Sequence, residues 1–179
     1  MTSFDEPFLF DASPLLHAAK ADRLDVLGDL VKNRECLTTQ SVLDEVRRND
    51  EDAHALVVRA GWIRTVPTDS LEFLHAYGTW STRMSLTDDH NIGETMLCAY
   101  AELRGGTLVI DDRDARRTAE RYGLVVCGTM RLVADACARD DYTLAGASTL
   151  ADTLRESGMR LPFTKGGFET WARAEKLLG

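Results

Sequence analysis

Three short stretches of this chain are apolar at almost every position: Phe8-Leu9-Phe10, Thr107-Leu108-Val109-Ile110 and Leu124-Val125-Val126-Cys127. A strand with one wet face alternates apolar and polar side chains, so strands without alternation must be covered on both faces. The segments between them carry apolar residues at helical spacing. Short buried strands alternating with helices imply an α/β fold around a mainly parallel sheet. In such sheets, ligands bind beyond the carboxyl ends of the strands. Two of the three runs lead into acids at that edge: Asp11 follows Phe10, and Asp111-Asp112 follow Ile110.

The remaining punctuation fits this scheme. Ser13-Pro14 reads as a helix N-cap with proline at the first helical position. Leu15, Leu16, Ala19, Leu27 and Leu30 continue a helical pattern with a break near Asp22. Thr38-Thr39 opens a second helix with Val42, Leu43 and Val46 on its apolar face and Glu45 at the border. A third helix runs from Ala53 to Ala60 and stops at Gly61. Trp62 to Val66 alternates like a strand and ends at Pro67. Leu71, Leu74, Tyr77 and Gly78 mark another helix, Ser85 to Asn91 a polar loop, and Ile92 to Arg104 a helix closed by Gly105-Gly106. Helices are then expected over Ala115 to Tyr122, Thr129 to about Arg139, Thr149 to Ser157, and Phe168 to Leu178. No repeat or linker divides the chain. One domain is expected over residues 1–179, with the last helix, about 167–178, a possible appendage.

Composition excludes several classes. No apolar run approaches the ~20 residues of a membrane helix, and the first six residues lack the basic start of a secretory signal. A cytoplasmic protein is expected. Cys36, Cys98, Cys127 and Cys137 are far apart and read as small buried hydrophobes rather than a zinc site or disulfide framework. The net charge of −8 opposes binding a polyanion by charge alone. Contact with nucleic acid would need a bound metal and a few placed arginines. His17, His54, His75 and His90 form no metal-binding pair at helical spacing, and no phosphate-cradling glycine loop or serine nucleophile elbow is present.

The acids therefore carry the chemistry. Asp11 follows three bulky apolar residues, where burying a carboxylate is costly without a partner; a turn or cap is its bland alternative. Asp111 and Asp112 would repel Asp11 and one another unless a cation intervened. One of the pair could serve only the helix that follows, and Asp112 is the stronger candidate for the site. Glu94 heads a helix whose next row, Leu97, Cys98 and Ala101, is apolar and small, so Glu94 is expected to face inward. Glu45, beside Arg47 and Arg48, has the weakest independent case. Carboxylates converging from two strand ends and two helices would form an oxygen-only site suited to Mg²⁺ or Mn²⁺. The natural chemistry of such a site is phosphodiester hydrolysis.

These segments resemble a known family. Phe8-Leu9-Phe10-Asp11-Ala12-Ser13 is similar to the opening strand of PIN domains, and Ser41-Val42-Leu43-Asp44-Glu45-Val46 to the early helix that carries their glutamate. Ile92-Gly93-Glu94-Thr95, the run Leu108 to Arg116, Gly123-Leu124, Gly128 to Val133, and the late helix leading to Gly158-Met159-Arg160-Leu161 resemble one prokaryotic branch of toxin type. The resemblance covers about residues 8 to 161 and implies a three-layer α/β/α fold. It further implies a metal-dependent ribonuclease of the kind found in toxin–antitoxin modules, with an RNA substrate, an antitoxin partner and a homodimer. Carried onto this sequence, Asp11, Glu94 and Asp112 would ligate the metal, with Asp111 a further candidate. Glu45 would orient metal-bound water. Arg113, Arg116 and Arg117, just past the Asp pair, could contact RNA phosphates or simply form a solvated helix face. The segment between Gly61 and Asn91 and the last helix depart from minimal toxins of this type. A PIN-like binding module without turnover is the alternative. A metal-dependent phosphatase is weakened because no second Asp lies two residues after Asp11.

Overall fold

The computed structural model describes residues 6–85 and 91–178. Its centre is a five-stranded sheet in which every neighbouring pair is parallel, with strand order β3-β2-β1-β4-β5. The strands are β1 (Phe8–Phe10), β2 (Cys36–Thr39), β3 (Ile63–Val66), β4 (Thr107–Val109) and β5 (Val125–Cys127). Helices connect and cover them, giving the expected α/β layers. In chain order they are α1 (Ala12–Lys20), α2 (Leu24–Leu30), α3 (Gln40–Asn49), α4 (Glu51–Arg59) and α5 (Leu71–Arg83). Then follow α6 (Ile92–Arg104), α7 (Arg113–Arg121), α8 (Thr129–Ala138), α9 (Leu144–Glu156) and α10 (Phe168–Ala174).

From β1 the chain steps outward through β2 to β3, then crosses back to place β4 on the other side of β1. The order therefore reverses between β1 and β4, and in open parallel sheets ligands bind beyond the carboxyl ends of the strands at such a reversal. Leu9, Phe10, Leu108 and Val109 are fully buried there, as the unbroken apolar runs require. β5 differs from expectation. It is an edge strand, and Val125 is 47% exposed, because β4 covers only one of its sides.

Other departures have local causes. Cys36–Thr39 is a buried strand rather than the lead-in to a helix. Its threonines disguise it, yet Thr38 Oγ1 donates to the Phe10 carbonyl at 2.8 Å and so is satisfied in the core. Thr39 does cap α3, its hydroxyl accepting from the Val42 N–H. α1 begins at Ala12 with Asp11, not Ser13, as N-cap. A capping side chain accepts from the second or third helical N–H, and Pro14 at the third position has none. The Asp11 side chain makes no cap bond. The break between α1 and α2 falls at Asp22, whose φ is +54°. α7 and α9 start earlier than their apolar patterns imply, because Asp112 and Thr143 cap them. α10 is shorter than expected, although Phe168 and Ala172 are fully buried in the core. The expected loop from Ser85 to Asn91 falls largely outside the described residues.

α5 forms where expected but buries a different face. Phe73, Ala76 and Trp80 point inward, while Leu71 is 85% and Leu74 52% exposed. Trp80 Nε1 donates to a Glu102 carboxylate oxygen at 2.9 Å, and Arg83 pairs with the same carboxylate while stacking on Trp80 and Tyr122. These contacts fasten α5 to α6, the helix that carries Glu94. The cysteines are free, and burial pushes all four thiols up, those of Cys36 and Cys127 to about 12. No helix among the described residues is long and apolar enough to cross a membrane.

Two glycines give opposite expectations. Gly106, between α6 and β4, has φ +119°, and a Cβ there would lie 3.1 Å from the Pro7 carbonyl oxygen and 3.1 Å from Leu9 Cδ1. Gly106→Ala should lower the urea midpoint by the equivalent of about 1–3 kcal/mol. Gly78 lies exposed within α5 with nothing near its missing side chain. Gly78→Ala should stabilise by about 0.5–1 kcal/mol in the same titration.

Candidate metal centre

Three acids meet beyond the carboxyl end of β1. Asp11 leaves the end of β1, Glu45 reaches across from α3, and Glu94 projects from the first turn of α6. One carboxylate oxygen of each lies within 4.8 Å of the others. Asp11 and Glu94 are buried and Glu45 half-buried, which makes Glu45 the member nearest solvent. Gly93 leaves the space they share. A Cβ on it would stand 3.3 Å from Glu45 Oε2, 3.5 Å from Asp11 Oδ1 and 3.2 Å from Val42. The bare backbone of α6 is therefore one wall of the acid cluster.

The electrostatics are unfavourable as they stand. Burial pushes the Asp11 carboxyl well above its ordinary range, and the charges of Glu94, Glu45 and Asp111 push it further; the Ala12 backbone N–H opposes them. Asp11 Oδ1 is buried without a hydrogen-bond partner. An acceptor oxygen without a partner among three converging carboxyl groups is an arrangement that a hard divalent cation would relieve. With oxygen donors only, the residues fit Mg²⁺ or Mn²⁺ better than zinc.

The two adjacent acids after β4 part company. Asp111 turns inward, its carboxylate accepting from Thr129 N–H and Thr129 Oγ1, both at 2.8 Å. It stands close enough for its charge to act on Asp11. Burial raises the Asp111 carboxyl, and the Thr129 bonds, Arg116 and His17 oppose that rise. Asp112 is exposed, and its Oδ1 accepts from Asp114 N–H at 2.9 Å and Ala115 N–H at 2.8 Å as the N-cap of α7. The structure thus gathers Asp11, Glu45 and Glu94, sets Asp111 beside them, and does not bring Asp112 into the cluster. Arg113 and Arg117 are exposed on α7, Arg117 lying 3.9 Å from Asp114. Arg116 is half-buried, its Nη1 donating to the Ile110 and Asp111 carbonyls.

Sequence reasoning missed Thr129 and the spatial role of Gly93. Thr129 carried a signal as a hydroxyl opening a helix just past a strand. Gly93 carried only its place beside Glu94.

Residues 7–164 match a family model whose description is PIN domain. No curated protein and no solved structure matches the chain.

The raised Asp11 carboxyl fixes a sign for the metal-free protein. Folded Asp11 holds its proton more tightly than the unfolded chain does. The contribution of Asp11 to stability therefore falls as pH rises from about 3.9, the unfolded value, through the raised folded value. Asp11→Asn, neutral and of equal size, should raise the thermal midpoint in EDTA at pH 7, with the gain fading toward pH 4. An unchanged midpoint at pH 7 would mean that charge repulsion does not limit this site.

Proposed function

The chain belongs to the PIN-domain family, and we propose that it is a Mg²⁺- or Mn²⁺-dependent endoribonuclease hydrolysing RNA phosphodiester bonds. The observation that carries this reading is the cluster of Asp11, Glu45 and Glu94 around a buried, unpartnered carboxylate oxygen. Asp11 and Glu94, the buried pair, would hold the ion, with Asp111 adding negative charge beside them. When bound, such an ion supplies Lewis-acid activation of the phosphoryl group and of water. Glu45, the half-buried member of the cluster, would orient the attacking water and accept its proton. Asp112 serves by starting α7, which presents Arg113 and Arg117 outward.

The net charge of −8 sets how RNA would be held. Without a cation the acid cluster would repel phosphate, so substrate binding and ion binding would be coupled. Arg113 and Arg117, exposed on the helix that follows the Asp pair, would supply positive charge for RNA, and two phosphate contacts give only a shallow salt dependence. The toxin of a toxin–antitoxin module, acting as a homodimer and held by an antitoxin protein, is the biological setting we propose.

With single-stranded RNA and Mn²⁺, the purified chain should cleave; EDTA should abolish the activity, and Asp11→Asn should lower the rate by at least about a hundredfold. Wild-type turnover by Asp11→Asn would place the chemistry elsewhere. Calorimetry that finds no Mn²⁺ binding would favour a binding module without turnover.

A further inference from the structure

The geometry around Asp111 points to a different role for Arg116 from that of its exposed neighbours on α7. We propose that Arg116 is a positioning residue, which with Gly128 and Thr129 holds Asp111 against the metal centre instead of contacting RNA. The inference rests on the metal-dependent reading above.

Arg116 Nη1 donates to the carbonyls of Ile110 at 3.2 Å and Asp111 at 3.4 Å. It therefore ties α7 back to the turn by which the chain leaves β4. Gly128, just beyond β5, passes directly over these groups. A Cβ on Gly128 would stand 2.7 Å from Arg116 Nη1 and 3.2 Å from Asp111 Oδ1, so only glycine lets the guanidinium and the carboxylate share this space. The next residue completes the clasp: Thr129 N–H donates to Asp111 Oδ1 and Thr129 Oγ1 to Oδ2.

Asp111 is thus fixed from three directions: by the backbone of its own turn through Arg116, by Gly128, and by the first residue of α8. Both carboxylate oxygens are engaged while its charge still reaches Asp11. Among the described residues Arg116 donates to main-chain carbonyls, whereas Arg113 and Arg117 lie on the exposed face of α7. A guanidinium spent on the backbone beside an acid cluster acts on the geometry of that cluster. Loss of partners of this kind typically costs metal affinity or activity.

The test compares Mn²⁺ affinity, by calorimetry, with KM for a single-stranded RNA. Arg116→Ala should raise the Mn²⁺ Kd about 10- to 100-fold and leave KM at saturating Mn²⁺ unchanged. Gly128→Ala should behave alike, because its new Cβ displaces the guanidinium. Arg113→Ala and Arg117→Ala should do the reverse. Circular dichroism checks folding, and Arg116→Lys carries the measurement if Arg116→Ala does not fold. Wild-type Mn²⁺ affinity in the folded Arg116 and Gly128 variants would overturn this inference alone, whatever happens to KM. A wild-type protein that takes no Mn²⁺ would overturn the metal-dependent reading, and this inference with it.

Discussion

The structure is organised around carboxyl groups held closer together than their charges favour. Asp11, Glu45 and Glu94 come within 4.8 Å of one another with two of them buried, and Asp111 adds a fourth negative group nearby. Left in water these side chains would separate. The fold prevents that, because each leaves a different element and those elements are fixed by packing that ignores the acids. β1 is held between β2 and β4, α6 is fastened by α5 through Trp80 and Glu102, and α3 rests on α6. Helix starts supply some compensation, since Asp11 sits at the head of α1 and Glu94 in the first turn of α6. The apolar core therefore maintains a charged cluster it gains nothing from, a pattern typical of functional rather than structural carboxylates.

Much of this was legible in the sequence, and the reasons differ from residue to residue. The parallel sheet followed from β1 and β4 because burial on two faces leaves no room for polar alternation. Asp11 stood out because an acid directly after Phe8-Leu9-Phe10 has few bland explanations. Glu94 was readable from the small apolar row behind it. β2 was hidden because Thr38 spends its hydroxyl on the Phe10 carbonyl, a long-range contact that local propensity does not contain. Which face of α5 is buried was likewise a tertiary matter: Leu71 and Leu74 share one helical row and Phe73, Ala76 and Trp80 another, and neither row announces its partner.

The Asp111-Asp112 pair shows the limit most clearly. Adjacent residues leaving a strand diverge, so only one could face the acid cluster while the other capped the helix that follows. Both roles suit aspartate, and chemistry alone favours neither assignment. What separates them is Thr129, 18 residues along the chain, which draws the first acid inward while the second caps α7. A contact between a strand end and the start of a distant helix is invisible to any local pattern. The same holds for Gly128 and Gly93, whose missing side chains matter only because of what the fold brings against them.

Asp11 is also the only residue between β1 and α1. Its backbone N–H is bonded to Val109 in the neighbouring strand, and the residue after it is already helical. This ligand candidate has no loop to flex in, so it cannot shift without carrying a strand or a helix along. A metal centre built on so stiff a support would adapt poorly to ions of different radius. It would discriminate by size, disfavouring a larger cation such as Ca²⁺, which needs a wider and more yielding shell of oxygens.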